Sequence, residues 1–246
     1  MEKLNLVSES PSRADGLGRR SFLRYAGGVA VIGSVLASCS APDEIVSKTP
    51  TNDLSKYAGG RISNGITVNL GSGELGILNY AYALEQLEAA YYEMVMRFPY
   101  EGMSAMERQI FSDLRAHEQI HRDFFKAALG SAAIPGLTPD FSGINFRQRS
   151  VVIDVARQFE DTGVSAYNGA GKFLQTEAYL ITAGKIVSVE ARHAAVLSEL
   201  QFPNGNAFAG DTPIDGNGLE RSRNPGAVLA IVAPFIQETL TSGLMA

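Results

Sequence analysis

Two copies of one spaced motif constrain the fold of this chain more than any other feature. Each copy reads Glu-x6-Tyr and later Glu-x2-His, and its two glutamates lie 33 residues apart in the first copy and 30 in the second. Residues i and i+3 share one face of a helix, so each Glu-x2-His pair offers a carboxylate and an imidazole to one point. The two copies consist of Glu85, Tyr92, Glu118 and His121, and of Glu160, Tyr167, Glu190 and His193.

The repeat predicts two helical hairpins that pack together as an all-α four-helix bundle. Such a bundle places four glutamates and two histidines around one centre, which is the ligand set of a carboxylate-bridged di-metal site. Each helix that carries Glu-x6-Tyr supplies one glutamate, and each of the other two helices supplies Glu-x2-His. The predicted metal ligands are Glu85, Glu118, His121, Glu160, Glu190 and His193.

The identity of the metal follows from which ligands the chain can offer. It has one cysteine, Cys39, so neither an intrachain disulfide nor a zinc site built from several thiolates is possible. Oxygen and imidazole ligands favour iron or manganese. We therefore expect two iron or manganese ions and a redox reaction, either oxidation of ferrous iron or breakdown of peroxide. No catalytic residue is assigned beyond the metal site.

The helix boundaries follow from caps and breakers. The four helices are predicted at about 73–97, 104–129, 147–174 and 176–200, and the second begins at the capping box Ser104-x-x-Glu107. The connection 130–146 has 17 residues and spans up to about 55 Å when extended. A 25-residue helix is only about 37 Å long. This connection can therefore cross the length of the bundle between the two hairpins.

The first helix carries two candidate carboxylates, Glu85 and Glu88, on or beside its apolar stripe. Glu85 is preferred as the ligand because Glu160 shares its tyrosine at +7. Tyr92 and Tyr167 themselves are expected either to contact the ligands or to serve as core aromatics.

Residues 1–39 are predicted to form an export signal. Arg19 and Arg20 resemble a twin-arginine motif, and an apolar segment of about 12 residues follows, too short to span a bilayer. It ends in a bacterial lipobox-like sequence in which Cys39 is the expected lipidation site. An ordinary secretion signal and an unmodified thiol are the alternatives. The expected location is the cell envelope or periplasm, with a lipid anchor and a flexible tether at 40–70.

The last part of the chain, 203–246, is predicted as a surface loop and a C-terminal helix. The helix starts at Asn224-Pro225, an N-cap and N1 pair, and runs to about Leu244 with a kink at Pro234. We expect it to pack on the bundle, with a homo-oligomer interface as the alternative.

Charge excludes one class of partner. The formal net charge is −5; the first 39 residues hold five basic and three acidic residues, so the remainder has 16 basic and 23 acidic residues and a net charge of −7. A nucleic-acid-binding surface needs clustered basic residues, so no nucleic acid is expected. The expected partners are a membrane, through the lipid anchor, and ferrous iron or a small oxidant.

Residues 71–202 resemble the ferritin-like domain family, whose members include exported bacterial proteins and plant desiccation-related proteins. The resemblance implies a ferritin-like four-helix bundle with one long crossover. Stress protection is the role expected for the redox reaction. It also implies that the six predicted ligands bind metal. The segments that carry it are 84–92, 118–121, 160–167 and 190–193.

Two alternatives remain open at this point. His117 and His121 frame the His-Glu-x-x-His pattern of zinc peptidases, with Glu118 as the general base. That pattern lacks a third ligand at the expected spacing and leaves the repeat unexplained. The other alternative is a ferritin-like bundle without metal that acts as an envelope scaffold or stress protein. In the di-metal interpretation, His117 is a surface residue or a neighbour of a ligand.

Overall fold

The computed structural model describes residues 53–203, 207–210 and 212–244. The predictions for Arg19, Arg20 and Cys39 lie outside these residues. Among the helices of the described part, none combines the length and apolar character needed to cross a membrane.

Four long helices and one short helix make up most of the described chain. The predicted all-α four-helix bundle with an additional C-terminal helix is confirmed. The helices are α1 (Gly73–Arg97), α2 (Ala105–Leu129), α3 (Arg149–Ala170), α4 (Glu177–Gln201) and α5 (Pro225–Val232). Two short strands, β1 (Thr67–Asn69) and β2 (Thr239–Thr241), form a parallel pair.

The bundle consists of two hairpins, α1 with α2 and α3 with α4. The capping box predicted at the start of α2 is confirmed. The Ser104 side-chain oxygen accepts a hydrogen bond from the Glu107 backbone N–H at 3.1 Å, and a Glu107 carboxylate oxygen accepts one from the Ser104 N–H at 2.8 Å. These bonds satisfy two backbone donors that a helix start leaves without intrahelical partners.

The crossover between the hairpins runs along α1, as its length allows. The Asn79 side-chain oxygen accepts a hydrogen bond from the Ile134 N–H at 2.9 Å. Two turns further along α1, the Gln86 side-chain oxygen accepts one from the Leu137 N–H at 2.8 Å. Buried amide side chains on α1 therefore hold the irregular backbone of the crossover in place and accept hydrogen bonds from its N–H groups.

The predicted extent of the last helix was wrong. Helix α5 ends at Val232, a 3-10 turn follows at Ala233–Phe235, and the chain then extends into β2. Pro234 has no backbone N–H to donate to the carbonyl four residues earlier, and its ring crowds the preceding turn, so the α-helix ends and a 3-10 turn follows instead of a kinked continuation. Pairing with β1 then satisfies the backbone groups of the extended segment.

The predicted tether also differs from the structure where it is described. Leu54, Val68 and Leu70 are buried in the core, and β1 pairs with β2. The Arg61 guanidinium donates a hydrogen bond to the Ile236 carbonyl at 2.8 Å. Residues 53–70 therefore belong to the folded body because they cover the C-terminal segment.

The last turn of α3 makes a close backbone contact with the segment that precedes α5. The Arg223 N–H donates to the Ser165 carbonyl at 2.9 Å, and a Cβ at Gly169 would lie 1.8 Å from the Arg223 carbonyl oxygen. We expect Gly169→Ala to lower the free energy of unfolding by about 1–3 kcal/mol or more, because the backbone must move apart. Gly184→Ala on α4 is the matched control: a Cβ there meets nothing within 4 Å, so it should stabilise by about 0.5–1 kcal/mol. Urea unfolding of both variants measures the difference, and equal effects would contradict the close contact.

Candidate metal centre

The four bundle helices bring the six predicted ligands together in the interior. The four glutamates are fully buried, His193 is buried and His121 is half-buried. Helix α1 supplies Glu85, α2 supplies Glu118 and His121, α3 supplies Glu160, and α4 supplies Glu190 and His193.

The ligand atoms form two groups that share two carboxylates. Within each group, one atom from each residue lies within 4.8 Å of the others. Each group contains one histidine and one glutamate of its own, plus the shared glutamates Glu118 and Glu190. The first group is Glu85, Glu118, His121 and Glu190, and the second is Glu118, Glu160, Glu190 and His193.

The shared carboxylates each direct one oxygen to each imidazole. Glu190 Oε1 lies 2.8 Å from His121 Nδ1, and Glu190 Oε2 lies 3.6 Å from His193 Nδ1. Glu118 Oε2 lies 3.4 Å from His121 Nδ1, and Glu118 Oε1 lies 2.9 Å from His193 Nδ1. The two shared carboxylates therefore lie between the two imidazoles and face both of them.

The converging atoms are close together but are not aligned as hydrogen bonds. Buried polar atoms normally have a hydrogen-bond partner, so a cluster that lacks aligned partners calls for a ligand. Metal cations fit this donor set, which is all oxygen and imidazole nitrogen. The atoms without an aligned partner include Glu85 Oε2, both oxygens of Glu118 and Glu190, Glu160 Oε2, and Nδ1 of His121 and His193.

The electrostatics of the cluster also favour bound cations. Burial raises the pKa of Glu118 well above its usual value, and repulsion from Glu190 and Glu160 adds to the rise. Burial lowers the pKa of His121, but the carboxylates of Glu118, Glu190 and Glu85 outweigh burial and raise it to about 12. The site thus attracts positive charge strongly, and bound cations can provide it in place of protons.

The two repeated tyrosines contact the ligand glutamates across the hairpins. Tyr92 on α1 donates a hydrogen bond to Glu160 Oε1 on α3 at 2.5 Å. Tyr167 on α3 donates to Glu85 Oε1 on α1. Burial, together with the neighbouring carboxylates, raises the pKa of both tyrosines well above the usual value, so both hydroxyls keep their protons. Each repeat therefore supplies the tyrosine that holds the glutamate of the other.

Glu88 is a fifth buried carboxylate beside the cluster. Its oxygen occupies space that a side chain at residue 163 would need, since a Cβ at Gly163 would lie 3.0 Å from Glu88 Oε1. Burial raises its pKa well above the usual value, and the field of Glu160 and the other ligand glutamates adds to the rise. Glu85 belongs to one of the two candidate groups, whereas Glu88 belongs to neither. The sequence indicated that Glu88 is buried, because it lies one helical turn after Glu85.

His117 contacts a ligand but belongs to neither group. Its Nδ1 lies 2.9 Å from His193 Nε2, and the two rings lie edge to edge in nearly parallel planes with centroids 5.2 Å apart. If His193 binds a metal ion through Nδ1, its Nε2 carries the ring hydrogen, and His117 Nδ1 accepts it. His121 turns its Nδ1 toward the glutamates. The geometry therefore does not support His117 and His121 as paired ligands of a zinc peptidase.

The variant His117→Ala distinguishes the di-metal interpretation from the zinc-peptidase interpretation. Loss of a residue that orients a ligand lowers metal affinity by about 10- to 100-fold without changing the number of ions bound. We expect His117→Ala to retain the wild-type stoichiometry at saturation, measured by metal analysis after titration. His117→Gln, which keeps a hydrogen-bond acceptor, should recover part of the affinity. Complete loss of metal in both variants would instead assign His117 as a ligand.

Comparison with known proteins agrees with the fold. No curated protein matches the chain. Residues 73–202, which carry all four bundle helices and all six predicted ligands, match the ferritin-like domain. This match covers more than half of the 246 residues. The chain therefore belongs to the ferritin-like domain family.

Proposed function

We propose that the protein holds two iron or manganese ions and uses them in a redox reaction with ferrous iron or peroxide. The observation that supports this most directly is the arrangement of Glu118 and Glu190, each with one oxygen toward each histidine. Two carboxylates that each face both imidazoles would suit a pair of ions, with one imidazole for each ion, better than a single ion.

Different residues of the chain would have different roles in such a site. Glu85 with His121 and Glu160 with His193 would complete the two positions on either side of the shared carboxylates. When bound, iron or manganese ions supply electrons and Lewis acidity.

Around these ligands, the tyrosines and the bundle core control orientation and solvent. Tyr92 and Tyr167 keep their protons and donate them in hydrogen bonds to one oxygen of Glu160 and of Glu85, which orients the free oxygen of each carboxylate. The buried positions of the glutamates keep bulk water away and strengthen every charge interaction at the centre.

Metal content and oxidation kinetics test this proposal. The full chain is offered iron and manganese separately, dialysed and analysed by mass spectrometry, and we expect about two ions per chain. The iron-loaded protein is then mixed with oxygen or hydrogen peroxide, and oxidation is followed by absorbance. Absence of bound metal under every loading would leave a metal-free scaffold, and one zinc per chain would restore the peptidase interpretation.

We also propose that the protein is exported and anchored to the cell envelope through Cys39. Support comes from the sequence alone: Arg19 and Arg20 precede an apolar segment that ends at the cysteine. Mass spectrometry of protein isolated from membranes tests this, since lipidation adds the mass of the acyl groups and cleavage removes residues 1–38. The variant Cys39→Ala should leave the protein unlipidated.

A further inference from the structure

An apolar cavity lies between the bundle helices on the side of the metal centre that carries His121. Its free volume is about 60 Å³. A single water needs about 10–15 Å³, so the space accommodates a chain of about four to six non-hydrogen atoms. Apolar side chains line it almost throughout, and none of the described residues that line it carries a charge.

The cavity approaches the candidate centre, and residues next to the ligands separate the two. Leu84 precedes Glu85 directly, and Phe125 lies one helical turn after His121. Tyr167 lines the cavity and donates its hydroxyl hydrogen to Glu85. A molecule in the cavity would therefore lie one residue layer from the metal position that Glu85 and His121 would hold.

The outer end of the cavity opens at the surface between α2 and α4. Two of its lining side chains, Phe124 and Tyr179, are 45% and 38% exposed. Leu180 and Ile181, beside Tyr179 on α4, are about half exposed as well. Large apolar side chains around an apolar opening favour the approach of an apolar molecule over that of an ion.

We propose that this cavity binds the apolar chain of a small neutral organic molecule, which is held beside the metal position of Glu85 and His121. Its role as a substrate pocket rests on the proposed redox function, whereas the binding itself does not require metal. A charged ligand would lose its hydration in a cavity that offers no compensating charge, so ions are excluded. Each methylene buried there should strengthen binding about fourfold.

Binding of straight-chain alcohols to the full chain tests the cavity. Methyl NMR is recorded during titration of the metal-free protein with 1-propanol through 1-octanol. We expect saturable shifts of the Leu84 and Ile77 methyl groups, with affinity rising about fourfold per methylene until the chain reaches about four to six non-hydrogen atoms. Absence of saturable shifts, or affinity that rises steadily through 1-octanol, would overturn the proposal.

Two variants change the volume of the cavity in opposite directions. Ala81→Leu on α1 fills it and should weaken binding of 1-pentanol at least tenfold, whereas Ala116→Leu, exposed on α2 and outside the cavity, should leave binding unchanged. If Ala81→Leu does not fold, Leu174→Ala decides, because it enlarges the cavity and should shift the optimum to a longer alcohol. An unchanged optimum in Leu174→Ala would contradict binding at this place.

Proximity to the centre is tested with Mn²⁺, whose unpaired electrons accelerate relaxation of nearby protons. We expect 1-pentanol bound to the manganese-loaded protein to show strong relaxation enhancement that Ala81→Leu abolishes. Bound alcohol without enhancement would separate the cavity from the centre and overturn the proposal. Alcohol binding in a protein that takes up no metal would disprove the redox function alone, and metal without alcohol binding would disprove the cavity alone.

Discussion

Glu118→Ala is expected to remove both metal ions, whereas Glu85→Ala is expected to remove one. Glu118 belongs to both ligand groups, with one oxygen toward His121 and the other toward His193. Glu85 belongs only to the group of His121. Loss of a bridging carboxylate leaves both positions with too few ligands, while loss of a terminal one leaves the second position complete. Metal analysis after dialysis should give about two ions per chain for wild type, about one for Glu85→Ala and close to none for Glu118→Ala.

The control for this pair of variants is Glu93→Ala, which removes an exposed carboxylate from α1 and should leave two ions bound. Circular dichroism establishes whether each variant is folded, and Glu118→Gln preserves the side-chain shape if the alanine variant is not. Retention of one ion in Glu118→Ala would show that Glu118 does not bridge. Equal loss in Glu85→Ala and Glu118→Ala would contradict the division into two groups.

Glu88→Gln is expected to stabilise the metal-free protein increasingly as the pH rises. Burial and the neighbouring glutamates raise the pKa of Glu88 in the folded state well above its value in the unfolded chain. Between these two pKa values the unfolded state has lost the proton that the folded state keeps, so raising the pH favours unfolding. Glutamine is neutral at every pH and lacks this effect. The difference in free energy of unfolding between variant and wild type should therefore grow by about 1.4 kcal/mol per pH unit.

Urea unfolding of chelator-treated protein at pH 5 to 8 measures that difference. Glu93→Gln serves as the matched control, because Glu93 is an exposed glutamate on the same helix and its variant should follow wild type at every pH. If the difference in free energy of unfolding between Glu88→Gln and wild type does not change with pH, Glu88 is ionised in the folded protein. Glu88 would then need a compensating positive charge in its surroundings.

The fold and the convergence of six side chains at its centre could be predicted from the sequence because both depend on local spacing. Glu-x2-His fixes two donors on one helix face, and the capping box at Ser104 fixes the start of α2. The error at the C-terminus arose where local propensity and tertiary pairing conflict. An apolar segment around Pro234 suits a kinked helix by itself, but pairing with β1 draws the following residues into an extended strand.

The sequence by itself determined a four-helix bundle and the residue types of its centre, since helical periodicity and ligand chemistry are properties of neighbours in the chain. Only the tertiary structure decided which of those residues contact one another. It directs Glu118 and Glu190 to both histidines, and it pairs Tyr92 and Tyr167 with the glutamates of the opposite hairpin. It also leaves an apolar cavity next to the charged cluster. These features depend on how four helices rotate and pack against one another, and no spacing within a single helix specifies that packing.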